Sequence, residues 1–488
     1  MSPKTDQYGL ESQLKRWIAH DPDPVTREHL VNLLNRADTP AIENLFNSRI
    51  QFGTAGLRGR LGPGPNRMNQ LTVRQLATGL ASYLGAGSKV VLGRDARHKS
   101  EDFLDDIAAV MRANDIDVIV FPEVIPTPLL AFSVRHLKTD MGIMVTASHN
   151  PSSDNGCKVY MRDGAQLRAP IDEEIDKLIR ESEFPSINLP QGNGTLVNAD
   201  RGLEEAYCAA ITKSLTQQNT KTRIAYTPLH GVAMRLIQKS FTKAQAGELI
   251  PVKTQMVPDA DFPTVSFPNP EEHGVMDSVI DLAKASNADL ALANDPDGDR
   301  LAVAIPTLSG DWRLLSGDEI GALLFNHVAR KTSGNNRKVV TTIVCSKLVS
   351  KIASNHGVEH ATTLTGFKWI IPAAYNDSSL QPIFCYEEAL GYATNTAVRD
   401  KDGISAALMM AELTAALKEQ GQTLEDELEA LSLEYGHHVT KTWRVRFNSD
   451  KSSNVIPKVM QHLRANPLST VNQMTVSYTH LTLPTKVT

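Results

Sequence analysis

The strongest candidate for chemistry in the sequence is an acidic loop at residues 294–300, which reads Asn-Asp-Pro-Asp-Gly-Asp-Arg. Its aspartates, Asp295, Asp297 and Asp299, follow the apolar stretch at 290–293. Alternate side chains can converge in a tight turn, and three converging carboxylates repel one another unless a divalent cation lies among them. Hard oxygen ligands of this kind suit Mg²⁺, which leaves coordination positions for phosphate oxygens. The acidic loop therefore predicts a magnesium site.

Two other structures have a similar arrangement of aspartates. An EF-hand calcium loop requires Glu at its twelfth position, and counting from Asp295 that position is Pro306. The sequence therefore argues against an EF-hand. A solvated surface turn rich in Asp and Gly is the remaining alternative. The apolar stretch before the loop favours a functional site instead, because ligand sites lie at the carboxyl ends of strands in open α/β sheets.

A second polar loop carries a hydroxyl beside an imidazole. This serine loop, residues 146–151, reads Thr-Ala-Ser-His-Asn-Pro and follows the apolar stretch 141–145, so Ser148 and His149 also lie after a predicted strand. The hydroxyl of Ser148 can be phosphorylated. The Ser-x-Gly context of a hydrolase nucleophile is absent, and a Ser-His pair alone is compatible with a solvated turn. The role of Ser148 therefore depends on a second motif.

Helices and strands are predicted to alternate around both loops. Apolar spacing predicts helices at 71–84 and 101–113, and short apolar stretches predict strands at 89–93, 117–121 and 141–145. The same alternation returns twice further along the chain. It predicts an α/β protein built from three successive α/β/α domains with mixed, mainly parallel sheets.

Composition narrows the class of protein. The 488 residues are 41% hydrophobic and 22% charged, and a formal net charge of -5 argues against nucleic acid and membranes as partners. The four cysteines have no metal-ligand spacing, so we expect neither a zinc site nor a disulfide framework. The N-terminus lacks the apolar core of a signal peptide, and no stretch is long enough to predict a membrane span. These features predict a cytoplasmic protein.

The serine loop and the acidic loop together resemble the α-D-phosphohexomutase superfamily. Further segments are similar to its phosphoglucomutase/phosphopentomutase branch, and the resemblance extends over residues 8 to 470. These segments are Phe-Gly-Thr-Ala-Gly-Leu-Arg-Gly at 52–59, Tyr-Thr-Pro-Leu-His-Gly at 226–231, Phe-Pro-Asn-Pro-Glu-Glu at 267–272, Leu-Thr-Gly-Phe-Lys-Trp at 364–369 and Tyr-Glu-Glu-Ala-Leu-Gly-Tyr at 386–392.

The resemblance implies a catalytic role for several residues. Ser148 is similar to the phosphoserine of the family. Arg58, Lys158 and Arg300 are similar to the basic residues around the transferring phosphate, and Lys158 is the candidate general acid and base. His149 would orient Ser148 or take a proton from it. Together with a phosphoserine oxygen, the implied Mg²⁺ ligands are Asp295, Asp297 and Asp299.

The resemblance also implies a sugar-binding segment. Gly366, Phe367 and Lys368 lie in the motif that orients the sugar, and Glu388 would accept hydrogen bonds from sugar hydroxyls. Leu390 stands where many hexose-phosphate mutases have a serine that contacts the sugar. The missing hydroxyl argues against strict glucose specificity and is compatible with pentose substrates.

The implied activity is that of a phosphosugar mutase. It would interconvert a sugar 1-phosphate with the 6-phosphate, or a pentose 1-phosphate with the 5-phosphate, through phospho-Ser148 and a bound bisphosphate. Mg²⁺ and a sugar bisphosphate activator are the implied cofactors, and a monomer or homodimer that binds a small phosphosugar is expected. The alternatives are a phosphomannomutase, a synthase of sugar 1,6-bisphosphate, and a sugar-phosphate binding protein of poor activity.

The resemblance divides the chain around a central cleft. The expected parts are an N-terminal helical extension at 1–45, a first domain with the serine loop at 46–190, a second with the acidic loop at 203–306, a third with the sugar-binding segment at 315–430, the truncated start of a fourth at 436–475, and an aberrant tail at 476–488. The Ser-Gly-Thr that the family uses to bind the second phosphate does not occur in the sequence. Within the first domain, Arg94, Asp95 and Arg97 are interpreted as an internal ion-pair network.

Overall fold

The computed structural model describes most of the chain: residues 9–53, 56–182, 184–216, 220–307, 309–440, 452–471 and 474–475. The tail predicted at 476–488 lies outside the described residues. The segment predicted to begin a fourth domain, 436–475, is described only in part. Among the helices of the described residues, none combines the length and the apolar character that a membrane crossing requires.

Three helices precede the first sheet: α1 (Leu10–His20), α2 (Pro24–Asn35) and α3 (Thr39–Phe46). Asp23 and Asp38 cap α2 and α3, because each carboxylate accepts a hydrogen bond from a backbone N–H of the first helical turn. Trp17 lies edge-on to the ring of Phe46. The apolar faces of the three helices form one cluster with Leu71, which fixes them against the domain that follows.

The first domain carries a seven-stranded sheet. Its elements are β1 (Phe52–Gly53), β2 (Gly56–Arg60), α4 (Gln70–Leu84), β3 (Lys89–Arg94), α5 (Ser100–Ala113), β4 (Asp117–Val120), α6 (Thr127–His136), β5 (Met141–Val145), β6 (Asp154–Met161), α7 (Ile171–Glu181) and β7 (Leu196–Asn198). The strand order is β1-β2-β6-β5-β3-β4-β7. The predicted helices at 71–84 and 101–113 and the three predicted strands are confirmed to within one residue at each end.

The second domain follows the same plan with five strands. Its elements are α8 (Gly202–Thr212), β8 (Arg223–Thr227), α9 (Met234–Ala244), β9 (Glu248–Pro251), α10 (Asp277–Ser286), β10 (Leu290–Asn294), β11 (Leu301–Pro306) and β12 (Trp312–Leu314). The strand order is β12-β11-β10-β8-β9. β10 pairs in parallel with β8 and antiparallel with β11, so the acidic loop closes the hairpin between β10 and β11.

The third domain has a four-stranded sheet in the order β14-β13-β15-β16. Its elements are α11 (Gly317–Lys331), β13 (Arg337–Thr342), α12 (Leu348–Asn355), β14 (Glu359–Thr363), α13 (Phe367–Ala374), β15 (Gln381–Glu387), β16 (Gly391–Ala393), α14 (Gly403–Glu419) and α15 (Leu424–Tyr435). After residue 440 the described elements are α16 (Ser452–Ala465) and the antiparallel pair β17 (Thr470–Val471) and β18 (Met474–Thr475).

Helix α14 joins the second and third domains into one apolar core. The helix is buried around nearly its whole circumference and contacts α8, α9, β10 and β11 of the second domain as well as α11 and β16 of the third. A helix that is apolar on all sides must be enclosed by other elements. Its start is therefore held rigidly beside the end of β10, where the acidic loop begins.

Asp402 caps α14 from a buried position. One carboxylate oxygen, Oδ1, accepts hydrogen bonds from the backbone N–H groups of Ile404 at 3.0 Å and Ser405 at 3.1 Å and from the Tyr207 hydroxyl at 2.9 Å. The other oxygen, Oδ2, has no hydrogen-bond partner in the described part of the chain. Burial raises the pKa of Asp402 to about 6, although these hydrogen bonds oppose the shift.

We expect Asp402→Asn to stabilise the protein at neutral pH. The unfolded carboxyl ionises near 3.8 and the folded one near 6, so the folded state binds the proton more tightly and wild-type stability falls as the pH rises between these values. Asn keeps the capping oxygen without the charge. The difference in the free energy of unfolding, variant minus wild type, should increase by up to about 3 kcal/mol from about pH 4 to about pH 7.5. Urea unfolding at both pH values measures this, with Asp38→Asn at an exposed cap as control; a difference independent of pH contradicts it.

Candidate active site

The serine loop leaves β5 at Val145 in the centre of the first sheet. Thr146 Oγ1 accepts a hydrogen bond from the backbone N–H of Ser148 at 2.9 Å, and Ser148 has a left-handed backbone with φ of 52°. This turn directs the hydroxyl toward the second domain. Ser148 Oγ donates a hydrogen bond to Asp295 Oδ2 at 2.6 Å and lies 3.2 Å from His149 Nδ1. The two loops therefore meet across the boundary between two domains.

The acidic loop is held in a tight turn by its flanking residues. Asn294 Nδ2 donates to the carbonyl oxygen of Arg300 at 2.6 Å, and Asn294 Oδ1 accepts from the hydroxyl of Tyr226 at 2.8 Å. Gly298 has φ of 74°, a conformation that glycine adopts without strain. The turn brings ligand oxygens of the three aspartates within 4.8 Å of one another, and all three side chains are buried.

The donor set of the acidic loop fits a divalent cation. Oδ1 of Asp297 and Oδ1 of Asp299 are buried and have no hydrogen-bond partner among the described residues. Buried carboxylate oxygens are costly to leave without a partner, and a hard cation satisfies them. Burial, with Asp297 and Asp299 adding to it, raises the pKa of Asp295 to about 7. A bound cation would relieve this repulsion.

Two lysines from different domains reach the acidic loop. Lys158 Nζ on β6 donates a hydrogen bond to Asp297 Oδ2 at 2.6 Å and a second one to Asp299 Oδ2. Lys401 Nζ, just before α14, lies 3.0 Å from Asp299 Oδ2. Burial opposes ionisation of Asp297, but Lys158 and a hydrogen bond from Thr127 together lower its pKa. All three domains therefore contribute charge to one buried cluster.

Two arginines border the same cluster. Arg58 lies on β2 opposite Gly156 of β6, and its Nε has no hydrogen-bond partner within the described residues. Burial lowers the pKa of Arg58, while the nearby Asp297 opposes that shift. The backbone N–H of Arg300 donates to Asp295 Oδ1 at 2.9 Å, and its Nη1 donates to the carbonyl oxygen of Ala389 at 2.5 Å. Both arginines can neutralise phosphate charge next to Ser148.

His149 is held in the neutral form. Burial is the largest cause that lowers the pKa of His149 well below its usual range, and the charges of Arg300 and Arg58 act in the same direction. A neutral imidazole 3.2 Å from the serine hydroxyl can accept a proton.

The predicted sugar-binding residues lie on two loops of the third domain. Glu388 follows β15, and its Oε2 accepts a hydrogen bond from Thr342 Oγ1 at 3.1 Å; burial raises the pKa of Glu388. Gly317 lies so close to the carbonyl of Glu388 that a Cβ there would be 1.8 Å from the oxygen. The guanidinium of Arg300 donates a hydrogen bond to the carbonyl oxygen of the neighbouring Ala389. Glu388 is therefore fixed to the helix start behind it and connected to the acidic loop.

The second loop begins α13. Gly366 has φ of 112° and precedes Phe367, whose buried ring centroid lies 5.6 Å from Lys401 Nζ. Lys368 Nζ lies 5.6 Å from the ring centroid of Trp369. Through Phe367 and Lys401 this loop adjoins Asp299, whereas the ammonium of Lys368 lies on the tryptophan ring.

Sequence reasoning missed two groups that contact the acidic loop. Lys401 belongs to the run Arg-Asp-Lys-Asp at 399–402, which directly precedes the apolar helix α14; charges in front of an apolar stretch were a usable signal. Thr127 donates its hydroxyl hydrogen to Asp297 Oδ2 at 2.6 Å. No residue pattern around Thr127 marks it, because the contact joins residues far apart in the chain.

Known proteins resemble this chain over most of its length. Models of the phosphoglucomutase/phosphomannomutase family match as alpha/beta/alpha domain I at residues 49–186, domain II at 205–310 and domain III at 316–435. Human phosphopentomutase is 36% identical over 467 residues, which cover 88% of this chain and 76% of the human protein. A probable phosphomannomutase of Haemophilus influenzae is 38% identical over 408 residues and 82% of each chain.

A solved structure of a phosphoglucomutase/phosphomannomutase family protein from Burkholderia thailandensis has the same fold. Its TM-score is 0.69 at 22% identity, over 86% of this chain and 85% of that one. The predicted fold class of three α/β/α domains is thereby confirmed. This chain belongs to the phosphoglucomutase/phosphomannomutase family within the α-D-phosphohexomutase superfamily, and it is a phosphosugar mutase, an isomerase.

Proposed function

We propose that the chain interconverts a sugar 1-phosphate with the 5- or 6-phosphate by passing the phosphoryl group through Ser148 in the presence of Mg²⁺. The observation that carries this proposal is the hydrogen bond of 2.6 Å from Ser148 Oγ to Asp295 Oδ2. It joins a buried hydroxyl to a buried group of three carboxylates across two domains. Such a hydroxyl can hold a phosphoryl group beside a cation.

Asp295, Asp297 and Asp299 would hold the Mg²⁺. One oxygen of each lies within 4.8 Å of the others, and Asp297 Oδ1 and Asp299 Oδ1 lack a hydrogen-bond partner in the described structure, so the group offers the oxygen ligands that a hard cation needs. When bound, Mg²⁺ supplies charge neutralisation at the phosphoryl oxygens. Arg58 and Arg300 would supply further positive charge beside Ser148.

The chemical step exchanges one phosphate ester bond for another. The bond from phosphorus to Ser148 Oγ breaks as a sugar hydroxyl oxygen bonds to the same phosphorus, which gives a sugar bisphosphate and free Ser148. The bisphosphate then reverses its orientation in the site and transfers its other phosphoryl group to Ser148. No phosphate is consumed, so the net reaction is an isomerisation. Catalysis consists mainly of positioning and charge neutralisation.

The sugar hydroxyl must lose a proton and the Ser148 oxygen must gain one. We assign the general acid and base role to Lys158, whose ammonium lies 2.6 Å from Asp297 within the same buried cluster. Neutral His149 lies 3.2 Å from Ser148 Oγ, which suits it to orient the hydroxyl or to take its proton when the serine is phosphorylated again. A sugar bisphosphate added from solution would act as activator by phosphorylating Ser148.

We propose phosphopentoses and phosphohexoses as substrates, with Glu388, Lys368 and the Gly366-Phe367 turn around the sugar. The relatives named phosphopentomutase and probable phosphomannomutase support these two classes. Leu390 is only 3% exposed and has no hydroxyl, so its side chain offers no polar contact that would require a hexose.

A panel of sugar phosphates tests this function. Ribose, deoxyribose, glucose and mannose 1-phosphates are each incubated with the protein, Mg²⁺ and the matching bisphosphate, and phosphorus NMR follows the phosphate position. We expect transfer to the 5- or 6-position, little free phosphate, stimulation by the bisphosphate, and loss of activity with EDTA. Parallel mass measurement of Ser148 phosphorylation by the bisphosphate reports the first transfer without full turnover. Release of inorganic phosphate, or no transfer to Ser148 or any sugar, contradicts the proposal.

A further inference from the structure

The charged segment at 93–97 lies directly beneath the serine loop. Arg97 is 4% exposed and donates hydrogen bonds to four backbone carbonyl oxygens of the serine loop and the residues that follow it. The acceptors are Ser148 at 2.6 Å, Asn150 at 2.5 Å, Pro151 at 2.7 Å and Asp154 at 3.1 Å. One guanidinium therefore binds four backbone carbonyls within residues 148–154, a segment that begins at Ser148.

In the described structure the carbonyls of Ser148 and Asn150 accept hydrogen bonds from Arg97 alone, whereas the carbonyl of Pro151 also accepts one from the backbone N–H of Asp154 at 3.0 Å. Ser148, Asn150 and Pro151 lie between the end of β5 and the start of β6, where the chain is irregular, so no helix or strand supplies their carbonyls with N–H groups in a regular pattern; Asp154 begins β6. Buried carbonyl oxygens need hydrogen bonds, and a planar guanidinium offers five N–H donors in a fixed arrangement. Ser148 has a left-handed φ of 52°, so its conformation must be held by its surroundings. Arg97 contributes to that constraint at the Ser148 carbonyl, beside the hydrogen bond from the Ser148 N–H to Thr146 Oγ1.

Arg97 is itself fixed from both domains. Its backbone N–H donates to Asp95 Oδ1 at 3.0 Å, and its Nε lies 3.3 Å from Asp95 Oδ2. On the other side the guanidinium carbon lies 4.9 Å from the ring centroid of Phe262, a buried residue of the second domain. The adjacent His98 Nε2 lies 2.6 Å from Asp261 Oδ1. The domain that holds the acidic loop thus also packs against the arginine that holds the serine loop.

We propose that Arg97 is a positioning residue for Ser148, and that the ring of Phe262 fixes Arg97 in the place where it shapes the serine loop. The inference rests on the proposed role of Ser148 as phosphoryl carrier. In this proposal Arg97 acts through its hydrogen bonds to the backbone of residues 148–154 and not on the phosphoryl group itself. Of the ion-pair network predicted at Arg94, Asp95 and Arg97, the structure contains the pair of Arg97 with Asp95, whereas Arg94 pairs with Glu101 at 3.3 Å. The proposal gives the pair of Arg97 and Asp95 a function.

A role in fold stability alone is the competing explanation, and the chain offers a matched control. Arg74 is also a largely buried arginine of the first domain. It donates from Nε to Asp106 at 2.7 Å and from Nη1 to the carbonyl oxygens of Ile187 at 2.8 Å and Ser186 at 3.3 Å. It thus pairs with a buried carboxylate and binds backbone carbonyls as Arg97 does, but it contacts neither loop of the site.

The experiment compares Arg97→Lys with Arg74→Lys in the full chain. Lysine keeps the charge opposite the aspartate but replaces the planar group by a single ammonium, which cannot reach four carbonyls. The rate of Ser148 phosphorylation by glucose 1,6-bisphosphate is measured by intact mass, and thermal unfolding and hydrogen exchange are measured on the same samples. We expect Arg97→Lys to slow phosphorylation about 100-fold, as for a nucleophile displaced by about 1 Å, with faster exchange confined to the 146–154 segment. Arg74→Lys should phosphorylate at the wild-type rate.

Phe262→Leu keeps an apolar side chain and removes the ring, so it tests the proposal even if Arg97→Lys fails to fold. We expect it to slow phosphorylation about threefold, as for the loss of one cation–π contact. A wild-type rate in folded Arg97→Lys would overturn the proposal, as would equal slowing by Arg97→Lys and Arg74→Lys. If Arg97→Lys does not fold, a wild-type rate in Phe262→Leu overturns it. Failure of the wild-type protein to accept phosphate at Ser148 would instead refute the proposed function.

Discussion

Replacing Ser148 with alanine is expected to remove mutase activity and phosphoryl labelling together. The hydroxyl is the only group of this residue that can form the phosphate ester, and loss of an activated nucleophile typically costs on the order of 10⁴-fold or more in rate. Folding should be little affected, because the change removes one hydrogen bond to Asp295 and leaves the backbone contacts of Arg97 in place. The measurements are the turnover rate and the mass gained on incubation with the bisphosphate.

The control for Ser148→Ala is Ser153→Ala. Ser153 lies in the same irregular segment but is exposed, and its hydroxyl bonds only Asp154 at 3.0 Å in the described structure. This variant should keep wild-type labelling and turnover. A phosphoryl group that still appears in Ser148→Ala, or turnover within about tenfold of wild type, would mean that another residue carries the phosphate.

Asp295→Asn is expected to weaken Mg²⁺ binding more than about 100-fold and to reduce turnover at limiting Mg²⁺ by a similar factor. Loss of a group that only hydrogen-bonds a metal ligand typically costs about 10- to 100-fold in metal affinity, and a charged ligand itself contributes more. Asp295 is the most suitable of the three aspartates for this test. Its hydrogen bonds come from Ser148 and from the backbone of Arg300, and its pKa is already raised to about 7 by burial, so a neutral amide fits without a large penalty. Asp297 and Asp299, by contrast, pair with Lys158.

Calorimetric titration with Mg²⁺ measures this affinity, and thermal unfolding without metal measures the fold. Asp402→Asn is the matched control, because Asp402 is also a buried aspartate with a raised pKa but lies outside the group of three carboxylates. We expect Asp402→Asn to bind Mg²⁺ as wild type does. Unchanged affinity in Asp295→Asn would exclude this carboxylate as a ligand. Unchanged affinity together with lost activity would assign Asp295 to the orientation of Ser148 alone.

Charged side chains from all three domains meet at Asp299. Lys158 of the first domain and Lys401 of the third both contact Asp299 of the second. Asp400, next to Lys401, accepts hydrogen bonds from Tyr160 and Gln166 of the first domain, both at 2.8 Å. These buried charges are compensated only while the three domains are docked. Loss of docking at any one of them would therefore disturb the acidic loop.

Local patterns in the sequence determined much of this architecture. Apolar spacing located α4, α5, β3, β4 and β5 because helical and extended periodicities depend on neighbouring residues only. The alternation of aspartates in the acidic loop indicated a cation site because carboxylate repulsion is a property of the residue types. The resemblance carried by the two loops indicated the family, which the domain matches confirmed.

Only the tertiary structure decided which distant groups meet. Ser148 and Asp295 are 147 positions apart, and their contact depends on how two separately folded sheets dock. Lys401 and Thr127 reach the acidic loop for the same reason. The hydrogen bonds of Arg97 could not be predicted because their acceptors are backbone carbonyls, which every residue possesses and no sequence pattern distinguishes. The sequence thus determined which kinds of group are available for phosphoryl transfer, whereas domain packing determined the distances between these groups and which charges lie side by side.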